Sequence, residues 1–152
     1  MELQGGMMMA KNAYIKLVPS SVKQTVTIDE VKELFYYYKD ITTKTGNQVD
    51  WQFSNSAFPY EIKETEEGKG KWFYLHSDHE GYFAILVGVD QETLQDENEE
   101  EKQQFYIQVS LPEQATFGDK GKANEFCKFL AKKYKGELHL FNERIMYYYP
   151  RK

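Results

Sequence analysis

Apolar residues change their spacing several times along the chain, and each change marks an element. Ala13, Ile15 and Leu17 alternate with Tyr14 and Lys16, which predicts a strand over Ala13–Val18, closed by Pro19. From Thr27 the spacing becomes helical. Thr27 and Glu30 have the S/T-x-x-E form of a capping box, so a helix should start at Ile28. Ile28, Val31, Leu34, Phe35, Tyr38 and Ile41 then fall on one face, and Gly46 offers a stop. Val49, Trp51 and Phe53 alternate with Asp50 and Gln52, predicting a half-buried strand. Tyr60–Glu64 and Lys71–His76 read as a hairpin joined by Gly68-Lys69-Gly70. Gly81–Val89 is apolar on both parities, as expected of a central strand covered on both faces.

The stretch Asp90–Glu101 holds seven acidic residues and little that is apolar, and predicts a solvated, mobile loop. Phe105, Ile107, Val109 and Leu111 resume the period of two. A glycine-containing loop, Thr116–Gly121, should lead into a second helix with the stripe Ala123, Phe126, Cys127, Leu130 and Tyr134, stopped by Gly136. Lys132, Lys133 and Lys135 would complement its C-terminal dipole. Leu138–Phe141 and Arg144–Tyr149 read as one or two strands turning at Asn142-Glu143.

This order predicts an α+β fold of two layers. Two amphipathic helices pack on a mainly antiparallel sheet of about six to seven strands, formed by a single domain over residues 11–152. Residues 1–10 read as an added scar or a disordered N-terminus. With helices on one face, alternation leaves Tyr14, Lys16, Asp50, Gln52, Tyr106 and Gln108 on the other.

Composition narrows the functions. The 152 residues carry 24 acidic against 19 basic side chains, a formal charge of −5. No apolar run approaches the ~20 residues of a membrane span, and the N-terminus has no secretory pattern. The single cysteine, Cys127, excludes an intramolecular disulfide and a multi-cysteine metal site, so the cytoplasm is the expected compartment.

Strand Ala13–Pro19, the segment Val31–Gln52 with its Leu34-Phe35-Tyr36-Tyr37-Tyr38-Lys39-Asp40-Ile41-Thr42 core, and Ala57-Phe58-Pro59-Tyr60-Glu61-Ile62 carry a resemblance. Together they resemble a small family of uncharacterised proteins from Bacillus-like bacteria, domain of unknown function 1885, from about Lys11 onward. The resemblance implies one compact α+β domain in a bacterial cytoplasm. It implies no activity for any residue.

Among chemical candidates, His76-Ser77-Asp78-His79-Glu80 is the densest group of metal-ligand types, and a zinc, manganese or nickel site would use His76, Asp78 and His79. A polar turn between strands accounts for the same residues. Gly118-Asp119-Lys120-Gly121-Lys122 precedes a helix but lacks the spacing of a phosphate-binding loop, and Gly68-Lys69-Gly70-Lys71 opens no helix. Cys127 lies in an apolar stripe, as a packing residue would. No catalytic or cofactor motif is present. Lys122, Lys128, Lys132, Lys133 and Lys135 make the second helix basic, but the acidic chain disfavours a nucleic-acid partner.

The most unusual feature is tyrosine. There are twelve, including Tyr36-Tyr37-Tyr38 and Tyr147-Tyr148-Tyr149. Tyr14, Tyr106, Tyr147 and Tyr149 are the candidate binding surface, because exposed tyrosine suits recognition of a peptide, a flat ligand or a second copy. The expected function is a non-enzymatic binding module with a tyrosine-bearing sheet face. The alternative is a small metal-dependent or acid/base enzyme centred on His76, Asp78 and His79.

Overall fold

The computed structural model describes residues 9–49 and 58–150. Its strands are β1 (Met9–Lys16), β2 (Glu61–Lys63), β3 (Trp72–His76), β4 (Ala84–Gln95), β5 (Glu101–Pro112), β6 (Glu137–His139) and β7 (Ile145–Tyr147). Helix α1 spans Ile28–Val49 and α2 spans Phe117–Tyr134. The strands form one sheet in the order β2-β3-β4-β5-β1-β6-β7. Every neighbouring pair is antiparallel. The fold is thus the expected α+β arrangement of two helices on an antiparallel sheet.

The core lies where the alternation places it. Ala13 and Ile15 of β1, Phe73 and Leu75 of β3, Ile85 and Val87 of β4, and Ile107 and Val109 of β5 are fully buried against the helices. From α1 they meet Val31 and Phe35, and from α2 Phe126, Cys127, Leu130 and Ala131. Phe126 is the aromatic hub. Its ring centroid lies 5.2 Å from Phe35, 5.3 Å from Tyr38 and 5.7 Å from Phe58. Burying such a side chain contributes about 3 kcal/mol. Ile41, assigned to the same face of α1 by periodicity, is 37% exposed.

Thr27 caps α1 as expected, its Oγ1 accepting from the Glu30 N–H at 3.2 Å. The helix does not stop at Gly46 but continues to Val49, so the predicted strand Val49–Phe53 does not include Val49. The rest of that strand, with Asp50 and Gln52, lies outside the described residues. β1 begins at Met9, inside the stretch set aside as an unstructured N-terminus, because Met9 pairs with Pro112 of β5.

Three other boundaries differ from expectation, each for a local reason. Gly81–Phe83 belong to the turn into β4, which starts at Ala84. The Thr116–Gly121 loop is instead the first turn of α2. Thr116 Oγ1 accepts from Asp119 N–H, and the Asp119 side chain accepts from Thr116 N–H, completing a capping box. Gly118 is needed there because a Cβ would lie 2.4 Å from the Gly81 carbonyl oxygen. At the other end Lys135 takes the left-handed conformation, with φ of 53°, while Gly136 lets the chain pass β1, where a Cβ would stand 2.9 Å from Lys16 O.

The largest correction concerns Asp90–Glu101. It is no mobile loop: β4 and β5 continue as a paired ribbon from Asp90↔Tyr106 to Gln95↔Glu101. Backbone ladder bonds need no apolar side chains, and Asp96 closes the turn by accepting from Asn98 N at 2.8 Å and Glu100 N at 2.9 Å. All of the acidic side chains but the half-buried Glu92 are exposed, which satisfies the composition without melting the ribbon.

Candidate functional site

On the face of the sheet opposite the helices the same strands present a different chemistry. β1 sends Asn12, Tyr14 and Lys16 to this face, since successive side chains alternate. The register sets Asn12 beside Ser110, Tyr14 between Gln108 and His139, and Lys16 between Tyr106 and Glu137. Tyr14 and Tyr106 are half-buried and meet edge to face, with centroids 5.6 Å apart. Burial, then the carboxylates of Asp90 and Glu92, push the Tyr106 pKa upward.

Beside Tyr14 on this face lies a polar network. The Ser110 hydroxyl donates to Asn12 Oδ1 at 2.6 Å, and Gln108 Nε2 donates to Asn12 Oδ1 at 3.2 Å and to Ser110 Oγ at 2.9 Å. Ser110 is fully buried and Gln108 nearly so. Among the described residues no buried side-chain nitrogen or oxygen lacks a partner, so this network is satisfied.

A second cluster stands on β6 and β7. Glu137 Oε1 contacts His139 Nε2 at 2.8 Å, and Glu137 Oε2 accepts from the Tyr149 hydroxyl at 2.6 Å. Burial raises the Glu137 pKa, but the hydrogen bonds from Tyr149 and His139, with the charges of His139 and Lys16, more than reverse this and leave it below the ordinary value. Lys16 reaches Glu92 at 3.4 Å. Tyr147 and Tyr149 also meet edge to face, at 5.8 Å. Between β1 and the β6–β7 turn lies a hollow of 460 Å³, whose lining includes Asn12, Tyr14, Lys16, His139 and Phe141.

All four candidate tyrosines therefore belong to one region. The register runs Tyr106, Lys16, Glu137, Tyr147 across the strands. Periodicity missed Asn12, Glu137 and His139 as partners of these rings. The available signal was their spacing of two from Tyr14 and from each other, but which strands adjoin was not readable.

The other candidates are placed differently. His76 Nδ1 is 3.9 Å from Asp78 Oδ1, and His79 lines the same 200 Å³ hollow beside Tyr60 and Lys39. Among the described residues, however, no three His, Cys, Asp or Glu side chains are grouped to hold a metal ion. Asp78 and His79 are exposed, and His76 is half-buried. Cys127 is fully buried, and burial pushes its thiol up to about 12, away from nucleophilic use.

The start of α2 is tied into the fold by Asp119. Asp119 is completely buried and accepts from Tyr60 Oη at 2.6 Å, Phe83 N at 3.0 Å and Thr116 N at 3.0 Å, tying the helix to β4. The Gly118–Lys122 segment is thus a structural junction. Gly68 packs on Trp72, within the β2–β3 connection. On α2, Lys122 pairs with Glu125 and Lys133 lies over the Tyr37 ring at 4.9 Å.

Comparison with known proteins decides the family. The model described as Domain of unknown function (DUF1885) matches residues 11–150. The chain belongs to this family. A solved relative, a protein of unknown function from Bacillus stearothermophilus, is 40% identical and covers 83% of this chain and 91% of its own, with a TM-score of 0.50. The search of curated proteins gave no match. Among the described residues of this DUF1885 chain, no helix is long and apolar enough to cross a membrane.

Proposed function

We propose that this chain is a non-enzymatic binding module of the cytoplasm, and that it binds through the sheet face carrying Tyr14, Tyr106, Tyr147 and Tyr149. The observation that supports this most is the Tyr14–Tyr106 pair at 5.6 Å, held on the helix-free face beside a 460 Å³ hollow. Half-buried tyrosines offer a rigid apolar body with a polar tip, which suits a peptide, a small ligand or a second copy of the chain. The buried polar network of Asn12, Gln108 and Ser110 joins β1 and β5, the strands that carry Tyr14 and Tyr106.

The test is a screen of fragments and short peptides against the ¹⁵N-labelled chain, read by amide chemical shifts. Hits should cluster on Tyr14, Tyr106 and His139 and be lost in Tyr14→Ala. Hits clustering instead on His76–His79 would overturn this reading and restore the enzyme alternative.

A further inference from the structure

The hydrogen-bonding inventory of the hollow carries the reading of that same face one step further, to the class of ligand. Asn12 is the key residue. Its Oδ1 receives both Ser110 Oγ–H and Gln108 Nε2–H, which fixes the side-chain amide in one orientation. The Nδ2 group is thereby turned away from the network and has no partner among the described residues. Two buried polar side chains thus serve to hold out a pair of N–H donors.

Its surroundings are also donors. Lys11 lines the hollow with no ion-pair partner among the described residues, and the Tyr14 hydroxyl has no hydrogen-bond partner among them. Lys16 enters from the same strand, shared with Glu92. The acceptors are fewer and mostly occupied. Both oxygens of Glu137 are engaged, by His139 and Tyr149, and Glu137 itself does not line the hollow. Glu143 contributes its carboxylate from the exposed turn at the rim, where φ is 70°. Phe141 and Leu140 supply an apolar wall.

A cavity lined by donors with one apolar wall complements a ligand rich in acceptors with a flat apolar body. We infer that the hollow between β1 and the β6–β7 turn binds an aromatic or similarly planar anion, its carboxylate or phosphate on Asn12 Nδ2 and Lys11 and its ring against Phe141 and Tyr14. This inference rests on the binding-face reading and assigns its ligand chemistry.

The experiment compares four probes on the full chain: benzoate, phenyl phosphate, benzylamine and benzyl alcohol, each titrated while the amide and Asn side-chain signals are followed. Benzoate or phenyl phosphate should give saturable shifts at the Asn12 side-chain amide, Tyr14 and His139, and the tighter of the two identifies the anion. Asn12→Asp keeps the acceptor that Ser110 and Gln108 need and replaces the exposed donor with a negative oxygen. It should weaken the anion by about ten-fold or more. Lys11→Glu, at an exposed position that does not threaten folding, should weaken it in the same direction, and Glu143→Gln should strengthen it.

Equal or tighter binding of benzylamine or benzyl alcohol at the same residues would overturn the anion class and leave the binding face standing. Anion binding unchanged by both Asn12→Asp and Lys11→Glu would likewise overturn it. No shift at these residues with any probe, together with a screen whose hits cluster elsewhere, would remove both readings.

Discussion

The two faces of this sheet are built from the same strands, one residue out of step, and they solve opposite problems. On the helix side Ile15, Phe73, Val87, Ile107 and Val109 have lost all contact with water and belong to one apolar cluster. On the other side Asn12, Tyr14, Tyr106, Gln108 and Ser110 are also largely sheltered, yet each is polar and most are bonded to one another. Apolar burial is non-directional, its gain following the area removed from water. A hydrogen-bonded set fixes direction, because each donor must meet its acceptor. One face therefore holds the fold together, and the other holds side chains in orientation.

Removing a hub from each face tests this division. Phe126→Ala should have the largest effect on stability. It deletes a ring packed on Phe35, Tyr38 and Phe58 and leaves a cavity that the sheet cannot close. Urea unfolding should show a loss of about 3–5 kcal/mol, with any ligand affinity per folded molecule little changed. A loss below about 1 kcal/mol would mean that the helix layer contributes far less than its burial implies.

Ser110→Ala sharpens the other half. It removes one hydroxyl from the Asn12 network, and the unfolding free energy should fall by only about 1 kcal/mol. The orienting role predicts a disproportionate effect elsewhere: the Asn12 side-chain amide signals should be distinct in the parent and collapse toward free-rotor positions in the variant. Unchanged Asn12 signals in Ser110→Ala would show that the network does not direct that side chain.

The helix-covered face was legible in the sequence because its signal is a period. Ile28, Val31, Leu34, Phe35 and Tyr38 repeat at helical spacing, and Ile107, Val109 and Leu111 at strand spacing. The polar face was legible only in part. Alternation put Tyr14, Lys16, Tyr106 and Gln108 together, but Glu137 and His139 join them through the placing of β6 beside β1, a long-range pairing with no local mark. The ribbon from Asp90 to Glu101 was misread because charge density was taken to oppose structure. Its stability comes from backbone pairing and from the Asp96 turn, neither of which depends on apolar residues. Thr116–Gly121 was misread as a loop because its two glycines obscured a second capping box, Thr116 with Asp119.

The smallest expected effect is in the pH dependence, where Cys127 and Tyr134 of the helix side, with Tyr106 of the other face, act at the alkaline end and Glu137 acts at the acid end. On the helix side burial raises the thiol of Cys127 from 9.0 to about 12 and the phenol of Tyr134 from 10.0 to about 12. A raised value in the folded state favours the neutral form. Their contribution is therefore complete below the unfolded values and is lost as pH rises from about 9 toward 12. On the other face Glu137 is lowered, chiefly by Tyr149 and His139 acting against the penalty of burial. Its contribution is present above the unfolded carboxylate range and is lost as pH falls through the depressed value. Stability measured by urea midpoint across pH should thus decline at both extremes. Cys127→Ala should flatten the alkaline limb and leave the acid limb alone, whereas Glu137→Gln should flatten the acid limb only. If Glu137→Gln changed the alkaline limb as much as the acid one, the two faces would be coupled through the strands they share, and the separation of packing from orientation would not hold.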